Sequence, residues 1–153
     1  MKKLLLIGLL TQNLLIANSP TDKTKAITWI TPTKSICEKS GGVAKYGGCK
    51  SNFDNASKIC SISGGRLPKI EELEKVITDC GGILTHNFNT FSTKNEHNKK
   101  YQSCYQKRGF IYYLYWSSDI VKESFAMMAY FRYGASWESP LRADGSYIRC
   151  VVE

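Results

Sequence analysis

The clearest hydrophobic pattern in the chain follows the glycine pair at residues 64–65. The apolar positions there lie three and four residues apart, at Ile70, Leu73, Val76 and Ile77. This spacing predicts an amphipathic helix with one apolar face. Pro68 suits the first turn of that helix, because the N–H that proline lacks has no helical partner there. The two glycines after Cys80 predict the end of the helix.

A shorter helix is predicted before it, and Ser51 or Asn52 is the expected capping residue at its start. Helical spacing places four apolar residues on one face, and they are Phe53, Ala56, Ile59 and Cys60. We therefore expect the side chain of Cys60 to point inward.

Strand-forming residues occur at the beginning of the domain and again towards its end. β-Branched and aromatic residues at 26–30 predict a first strand. The aromatic-rich stretch 111–118 predicts another, and residues 125–133 predict a third with 135–139 as its hairpin partner. Residues 147–152 predict the last strand. This order of elements predicts an α+β fold with a mostly antiparallel sheet.

Two stretches lack hydrophobic periodicity. Residues 37–49 contain two glycine pairs between two cysteines and predict a looped excursion. Residues 85–108 are polar and predict a long loop, which Cys104 would tie to the domain. A loop of that length in a compact domain is typical of a functional or mobile segment, although a solvated surface loop fits the sequence equally well.

The beginning of the chain has the pattern of a secretory signal peptide at residues 1–19. A basic start precedes a short apolar run, and small residues follow at Ala17 and Ser19, either of which could precede the cleavage site. The apolar run is too short to cross a membrane, so we expect no membrane span in the mature form. Residues 20–25 predict a linker, and residues 26–153 one domain of an exported protein, periplasmic or extracellular.

The chain is basic, with a formal net charge of +8 that falls to +6 if two lysines leave with the signal peptide. Such a charge favours polyanionic partners such as acidic glycans or anionic surfaces, and it is also compatible with a role in solubility alone. The sequence contains no nucleic-acid-binding motif, so we expect no nucleic-acid partner.

All six cysteines follow the predicted signal peptide. An even number in an exported chain predicts structural disulfides, whose pairing the spacing alone does not fix. A zinc or redox site is not favoured, because no C-x-x-C occurs and His86 and His97 lie in a polar stretch. We therefore expect no cofactor. The cysteines are Cys37, Cys49, Cys60, Cys80, Cys104 and Cys150.

Three short segments carry a resemblance to known proteins, and they are Gly65-Arg66-Leu67-Pro68, Tyr115-Trp116-Ser117-Ser118 and Tyr147-Ile148-Arg149-Cys150-Val151. Together, in this order, they resemble the Lcl C-terminal domain family and the related major-paralogous-domain family of exported bacterial proteins. The resemblance extends from Ala26 to the end of the chain.

This resemblance implies a C-type-lectin-like fold, in which both termini meet in one sheet, two helices flank it and a long loop region forms the binding end. It also implies a disulfide between Cys60 and Cys150, which staples the first helix to the last strand. The simplest pairing of the remaining cysteines is then Cys37 with Cys49 and Cys80 with Cys104.

The shared residues of the family imply structural roles. Arg66 is expected to pin its turn through a carboxylate or backbone carbonyls, and Trp116 to fill the core while Ser117 and Ser118 bond nearby backbone. Arg149 alternates with its neighbours in the last strand, so we expect it to face away from Cys60. Glu72 or Asp119 is the expected partner of its charge.

The residue sets that hold calcium in C-type lectins are missing, and neither a nucleophile elbow nor paired catalytic carboxylates stand out. We therefore expect no catalytic residues and a protein that is not an enzyme. The predicted function is an exported binding module for a glycan or protein partner, adhesin-like or envelope-associated. The alternatives are a self-associating structural envelope protein and, less favoured, an enzyme of the formylglycine-generating type.

Aromatic and basic residues on the late strands and the polar stretch are the candidate ligand contacts. Aromatic faces suit sugars or side chains, and arginine suits carboxylate or sulfate. Tyr133 and Trp137 could instead pack on the sheet. The candidate ligand-binding residues are Arg132, Tyr133, Trp137, Arg142, Lys107 and Arg108.

Overall fold

A computed structural model describes residues 27–87, 89–141 and 145–153. The predicted signal peptide, residues 1–19, and the predicted linker, residues 20–25, lie outside the described residues. The elements in chain order are β1 (Thr28–Ile30), α1 (Lys34–Lys39), β2 (Val43–Lys45), β3 (Gly48–Ser51), α2 (Phe53–Ile62), α3 (Ile70–Asp79), α4 (Thr93–His97), α5 (Lys99–Lys107), β4 (Leu114–Lys122), β5 (Phe125–Tyr130), β6 (Ala135–Pro140), β7 (Ser146–Ile148) and β8 (Cys150–Val152). This composition confirms the predicted α+β class.

The main sheet has six strands in the order β2-β3-β7-β4-β5-β6. Its neighbouring strands are antiparallel except for the β4–β7 pair, which confirms the mostly antiparallel prediction. A separate antiparallel pair joins β1 to β8, with Trp29 opposite Val151. The prediction of one continuous last strand is wrong. The strand is interrupted at Arg149, and β7 and β8 belong to different sheets.

The main sheet carries apolar side chains on both faces. Trp116 on β4 is fully buried against α2, and its Nε1 donates to the Ser51 backbone oxygen at 2.9 Å. Its neighbour Tyr115 points to the opposite face and packs against Phe110 and Phe131, because successive strand residues alternate sides. Residues of α3 and α5 cover that second face. The predicted core position of Trp116 is confirmed.

Disulfides pair all six cysteines, as Cys60–Cys150, Cys37–Cys49 and Cys80–Cys104. The first is the pair that the resemblance implied, and the other two are the simplest pairing of the cysteines that remained. Cys60 is fully buried, as predicted, and its bond to Cys150 joins α2 to β8 across 90 residues. Closing a loop of that length stabilises the folded state by about 4–5 kcal/mol in the chain-entropy model.

The turn before α3 is held by Arg66, as predicted. Its guanidinium donates two hydrogen bonds to the carboxylate of Glu72, each 2.9 Å long, and a third of 2.6 Å to Glu153. The backbone of Arg66 also pairs with Val151 of β8. The hydrogen bonds from Arg66 favour the charged form of Glu72 and so lower the pKa of that carboxyl.

The start of α3 differs from the prediction, because the helix begins at Ile70 and Pro68 lies before its first turn. The N–H groups at this end are satisfied by carboxylates instead. Asp119 on β4 accepts from the backbone N–H of Ile70, and Glu72 accepts from that of Lys69 at 2.7 Å. Negative charge at this position also complements the positive end of the helix dipole.

Two predicted loops contain regular structure, so both predictions are wrong. Residues 37–49 hold the second half of α1, all of β2 and the first half of β3, and residues 85–108 hold α4 and α5. α5 buries only two aromatic side chains, Tyr101 and Tyr105, and its other positions are mostly polar. Two apolar positions are too few to produce a recognisable hydrophobic period.

Arg149 is 7% exposed at the break between β7 and β8. Its guanidinium donates to Thr31 Oγ1 and, at 3.2 Å, to the backbone oxygen of Arg108, and it lies 5.1 Å from the centre of the Phe110 ring. Burial lowers the pKa of this guanidinium. The expected partnership with Glu72 or Asp119 is wrong, because those carboxylates serve the start of α3. In the described ranges no helix is long and apolar enough to cross a membrane.

Candidate binding surface

The β2–β3 hairpin ends in a two-residue turn made by Tyr46 and Gly47, with Lys45 opposite Gly48. The φ angles of Tyr46 and Gly47 are +50° and +78°, which is typical of a type I′ turn. Asn, Asp or Gly is usual at the first position, and a larger L-residue there costs roughly 1–2 kcal/mol. Tyr46 is nevertheless placed there with 62% of its surface exposed.

Tyr46 is the outer member of a group of four tyrosines, which we name the tyrosine face: Tyr46, Tyr112, Tyr113 and Tyr147. The ring of Tyr113 is nearly parallel to those of Tyr46 and Tyr147, with centroid distances of 6.0 and 5.1 Å. Tyr112 leans against Tyr113 at 4.4 Å, and their hydroxyl oxygens are 3.2 Å apart. The tyrosine face therefore covers the part of the sheet near β2, β3 and β7.

Gly48 makes room for this arrangement. A Cβ atom at that position would lie 2.9 Å from the ring of Tyr147, closer than real Cβ contacts. The absence of a side chain on β3 thus lets the Tyr147 ring lie across the strand. The sequence Tyr46-Gly47-Gly48 therefore supplies both the turn and the space for the tyrosine face.

Three surface clefts run along the tyrosine face and share its residues. The hairpin cleft, of about 220 Å³, includes Lys45, Tyr46, Lys50, Tyr113, Ser146 and Tyr147 in its lining. The central cleft, of about 460 Å³, includes Tyr46, Gly47, Gln106, Ile111 and Tyr112. The arginine cleft, of about 380 Å³, is lined by Glu96, Gln102, Tyr112 and Arg132. Tyr46 is part of the lining of both the hairpin and the central cleft, and Tyr112 is part of the lining of both the central and the arginine cleft.

The hairpin cleft is positively charged, because Lys45 and Lys50 line it and its described lining contains no carboxylate. The hydrogen bond with Tyr112, followed by desolvation, raises the pKa of Tyr113 to about 12. Burial also raises the pKa of Tyr147. Both hydroxyls therefore keep their protons at neutral pH.

Three of the predicted ligand residues lie close together at the end of β5 and on β6. Phe91 stacks on Tyr133 at 4.8 Å and meets Trp137 edge-on at 6.0 Å. Arg132 forms an ion pair with Glu96 and lies 5.4 Å from the centre of the Tyr133 ring. Tyr133 and Trp137 are half-buried in this cluster. Arg132 alone among the three lines one of the clefts described above.

The other predicted ligand residues lie elsewhere. Lys107 and Arg108 are at the C-terminal end of α5, where Arg108 Nη1 is 3.6 Å from Asp79 Oδ2. The neighbouring Gln106 and Gly109 line the central cleft, so this basic pair borders the tyrosine face. Arg142 lies outside the described residues.

The two histidines have hydrogen-bond partners on the surface. His86 Nδ1 is 3.1 Å from Ser136 Oγ and 3.3 Å from a Glu74 oxygen, and Ser136 Oγ donates to Glu74 at 2.6 Å. His97 Nδ1 is 2.8 Å from the backbone oxygen of Thr93. In the part of the chain that the structure describes, no three His, Cys, Asp or Glu side chains are arranged to hold a metal ion.

The sequence-based candidates did not include Tyr46, Tyr112 or Tyr113. Two features point towards them in retrospect. Tyr46 precedes two glycines between short strand-like stretches, where a turn residue with a small side chain is usual. Tyr112 and Tyr113 are adjacent, so a strand-like alternation exposes one of them.

Comparisons with known proteins gave no match to this chain among family models, curated proteins or solved structures.

Proposed function

We propose that this protein is an exported, non-enzymatic binding module that recognises a glycan or protein partner at the cell envelope through its tyrosine face. The observation that supports this most directly is the conformation of Tyr46. A residue held at φ +50° would be more stable as Asn or Gly, and its ring is displayed rather than buried. Residues held in a strained backbone conformation cluster at ligand-binding and other functional sites.

The surroundings of Tyr46 support the same proposal. Two of the four tyrosines are exposed, Tyr112 by 42% in addition to Tyr46, whereas Tyr147 is 4% exposed and belongs to the core beneath them. Exposed tyrosines combine large contact area with a hydroxyl group, and they are enriched at recognition surfaces. Lys45 and Lys50 add positive charge at one end, in keeping with the basic chain and with a polyanionic partner.

The proposal also includes a more specific fold than the α+β class. A C-type-lectin-like fold of the Lcl C-terminal domain type is supported by the pairing of β1 with β8, which brings the two ends of the domain together. The Cys60–Cys150 disulfide between α2 and β8 supports it as well. The three disulfides also favour an oxidising location, periplasmic or extracellular.

The test is a binding screen of the mature domain against immobilised neutral and acidic oligosaccharides and a panel of peptides. Tyr46→Asn replaces the tyrosine with a residue that suits the turn, so the hairpin is retained while the exposed ring is lost. We expect this variant to lose at least about tenfold in affinity for whatever the domain binds.

Trp137→Ala is the matched comparison, because it removes an aromatic residue from the other cluster of candidates. We expect it to bind as tightly as the unaltered domain. Equal binding by the Tyr46→Asn variant, with loss in the Trp137→Ala variant, would move the site to β6. Absence of any ligand in the screen would count against the proposal.

A second candidate, self-association as a structural envelope protein, is supported by apolar exposure at the end of β4. Ile120 and Val121 are 60% and 47% exposed there, beside β5, which pairs with the edge strand β6. Sedimentation of the mature domain over a range of concentrations separates the two candidates. A stable oligomer that Ile120→Lys converts to monomer would favour this second function.

A further inference from the structure

Each ring of the tyrosine face has another tyrosine ring beside it. Tyr113 has Tyr46 and Tyr147 nearly parallel to it, each with an interplanar angle of 17°. The Lys45 ammonium group lies 4.9 Å from the centre of the Tyr46 ring. A sugar ring stacks on an open aromatic face, and the rings with closest neighbours here offer mainly their edges and hydroxyl groups. The surface of the stack is therefore a row of projecting ring edges.

A row of projecting aromatic edges suits a ligand that is already extended and whose own side chains project at regular intervals. A polyproline II helix has three residues per turn and a rise of about 3.1 Å per residue, and it lacks internal hydrogen bonds. Its proline rings pack against the exposed edges of aromatic side chains, and its free carbonyls accept hydrogen bonds from hydroxyl groups. Because it is preformed, it loses little conformational entropy on binding.

The clefts lie next to one another along the tyrosine face. The hairpin and central clefts are both lined by Tyr46, and the central and arginine clefts are both lined by Tyr112. Tyr46 and Tyr112, which carry hydroxyl groups and are 62% and 42% exposed, line these clefts, and Gln106 adds an amide donor in the central cleft. These groups are donors for the carbonyl oxygens of an extended backbone.

The charge differs between the two ends of this series of clefts. Lys45 and Lys50 line the hairpin cleft, whereas Arg132 in the arginine cleft is already paired with Glu96. An acidic residue of the ligand is therefore attracted to the hairpin end. We propose that the tyrosine face binds a proline-rich segment of a partner protein in the polyproline II conformation, with acidic residues at the end that lies against Lys45 and Lys50. This inference rests on the proposed function and names its ligand class.

The experiment measures binding of fluorescein-labelled peptides by anisotropy. The probe is a ten-proline peptide ending in two glutamates, and the comparison peptide has the same length and charge with glycine and serine in place of proline. We expect the proline peptide to bind at least about tenfold more tightly than the glycine–serine peptide. The Tyr46→Asn variant should lose that difference.

Two further variants test the contacts separately. Tyr112→Phe removes one hydroxyl donor and should weaken binding about threefold to tenfold, without altering the stack. The double change of Lys45→Gln and Lys50→Gln should abolish the preference for the peptide with glutamates over one ending in two glutamines. Near-UV circular dichroism checks that each variant keeps its tertiary packing, so loss of folding is distinguishable from loss of a contact.

Equal binding of the proline and glycine–serine peptides, or an unchanged affinity in both tyrosine variants, would overturn the inference. Binding of an oligosaccharide, but not of the proline peptide, in a manner that depends on Tyr46 would also overturn it while leaving the proposed function standing. If neither ligand class binds, the inference fails, and the proposed function fails as well when the remaining peptides of the panel do not bind.

Discussion

The side chain of Asn95 holds three segments of the chain together, and replacing it by aspartate should destabilise the domain in a pH-dependent way. Asn95 is 1% exposed. Its Nδ2 donates to the backbone oxygens of Ile83 and Tyr133 at 2.7 and 2.8 Å, and its Oδ1 accepts from the Ile83 N–H at 2.8 Å. The side chain thus connects the segment after α3, helix α4 and the turn between β5 and β6.

Asn95→Asp keeps the shape of the side chain and removes both N–H donors. Two buried carbonyl oxygens then lose their partners, at roughly 1–3 kcal/mol each, so we expect a loss of about 3 kcal/mol at pH 7. The introduced carboxyl is buried and faces two carbonyl oxygens, so its pKa in the folded state rises above the unfolded value of about 3.9.

The sign of the pH effect follows from that shift. Between the unfolded and the raised folded pKa, the folded variant binds more protons than the unfolded variant, so its stability falls as pH rises. Protonation also restores one donor. The deficit of the Asn95→Asp variant relative to the unaltered domain should therefore shrink by about 1 kcal/mol between pH 7 and about pH 4.5.

The assay is urea unfolding of both proteins at the two pH values with the disulfides intact, comparing midpoints at a common m-value. Asn98→Asp is the matched control, because Asn98 only accepts a hydrogen bond, from the Tyr101 N–H at 3.1 Å, and caps α5. Aspartate does the same at that position, so its effect should stay below about 0.5 kcal/mol. An Asn95→Asp deficit below about 1 kcal/mol, or one that is equal at both pH values, would refute this reasoning.

Two other predictions concern the turn before α3. Glu72→Gln removes the charge that Arg66 holds in the ionised form, and should cost about 1 kcal/mol at pH 7 after screening by solvent. Because the folded pKa of Glu72 is lowered, that contribution is complete above the unfolded pKa of about 4.3 and is lost as pH falls through the folded value, so the variant and the unaltered domain should converge in acid melts. Gly65→Ala places a Cβ 2.5 Å from the Val151 backbone oxygen and should cost about 2–3 kcal/mol, whereas Gly64→Ala, with open space but φ +84°, should cost about 1 kcal/mol; equal midpoints in urea would contradict the packing argument.

Local patterns in the sequence were sufficient for several elements. The spacing from Ile70 to Ile77 predicts α3, and Asn52 caps α2 as expected, with Oδ1 accepting from the Asn55 N–H. The hairpin of β5 and β6 is also confirmed. These features depend on neighbours within a few residues, so their physical causes are present in the sequence itself.

The identity of the disulfide partners was accessible through resemblance rather than through spacing. The cysteine count in a chain with an exported pattern predicts a framework, and it leaves the partners open. Pairing Cys60 with Cys150 depends on residues 90 apart meeting in space. That meeting is decided by how α2 packs against β8, which no local pattern expresses.

The candidate site, too, could be predicted from the sequence only in part. The sequence indicates which residues are aromatic or basic, and only the structure shows that Lys107 and Arg108 lie near the border of the tyrosine face. The sequence does not indicate that Tyr133 and Trp137 pack with Phe91, or that Tyr46 stays exposed at a strained turn. Exposure depends on which helices cover which part of a sheet.

Local spacing and residue chemistry thus determined the main helices, the strand-rich second half and the disulfide-bonded character of the protein. Tertiary structure decided the rest. Burial of two tyrosines made a helix of the polar segment that contains α5, and a buried Arg149 split the last strand between two sheets. The tyrosine face exists because α3 and α5 cover one end of the sheet and leave the hairpin end to be covered by aromatic rings.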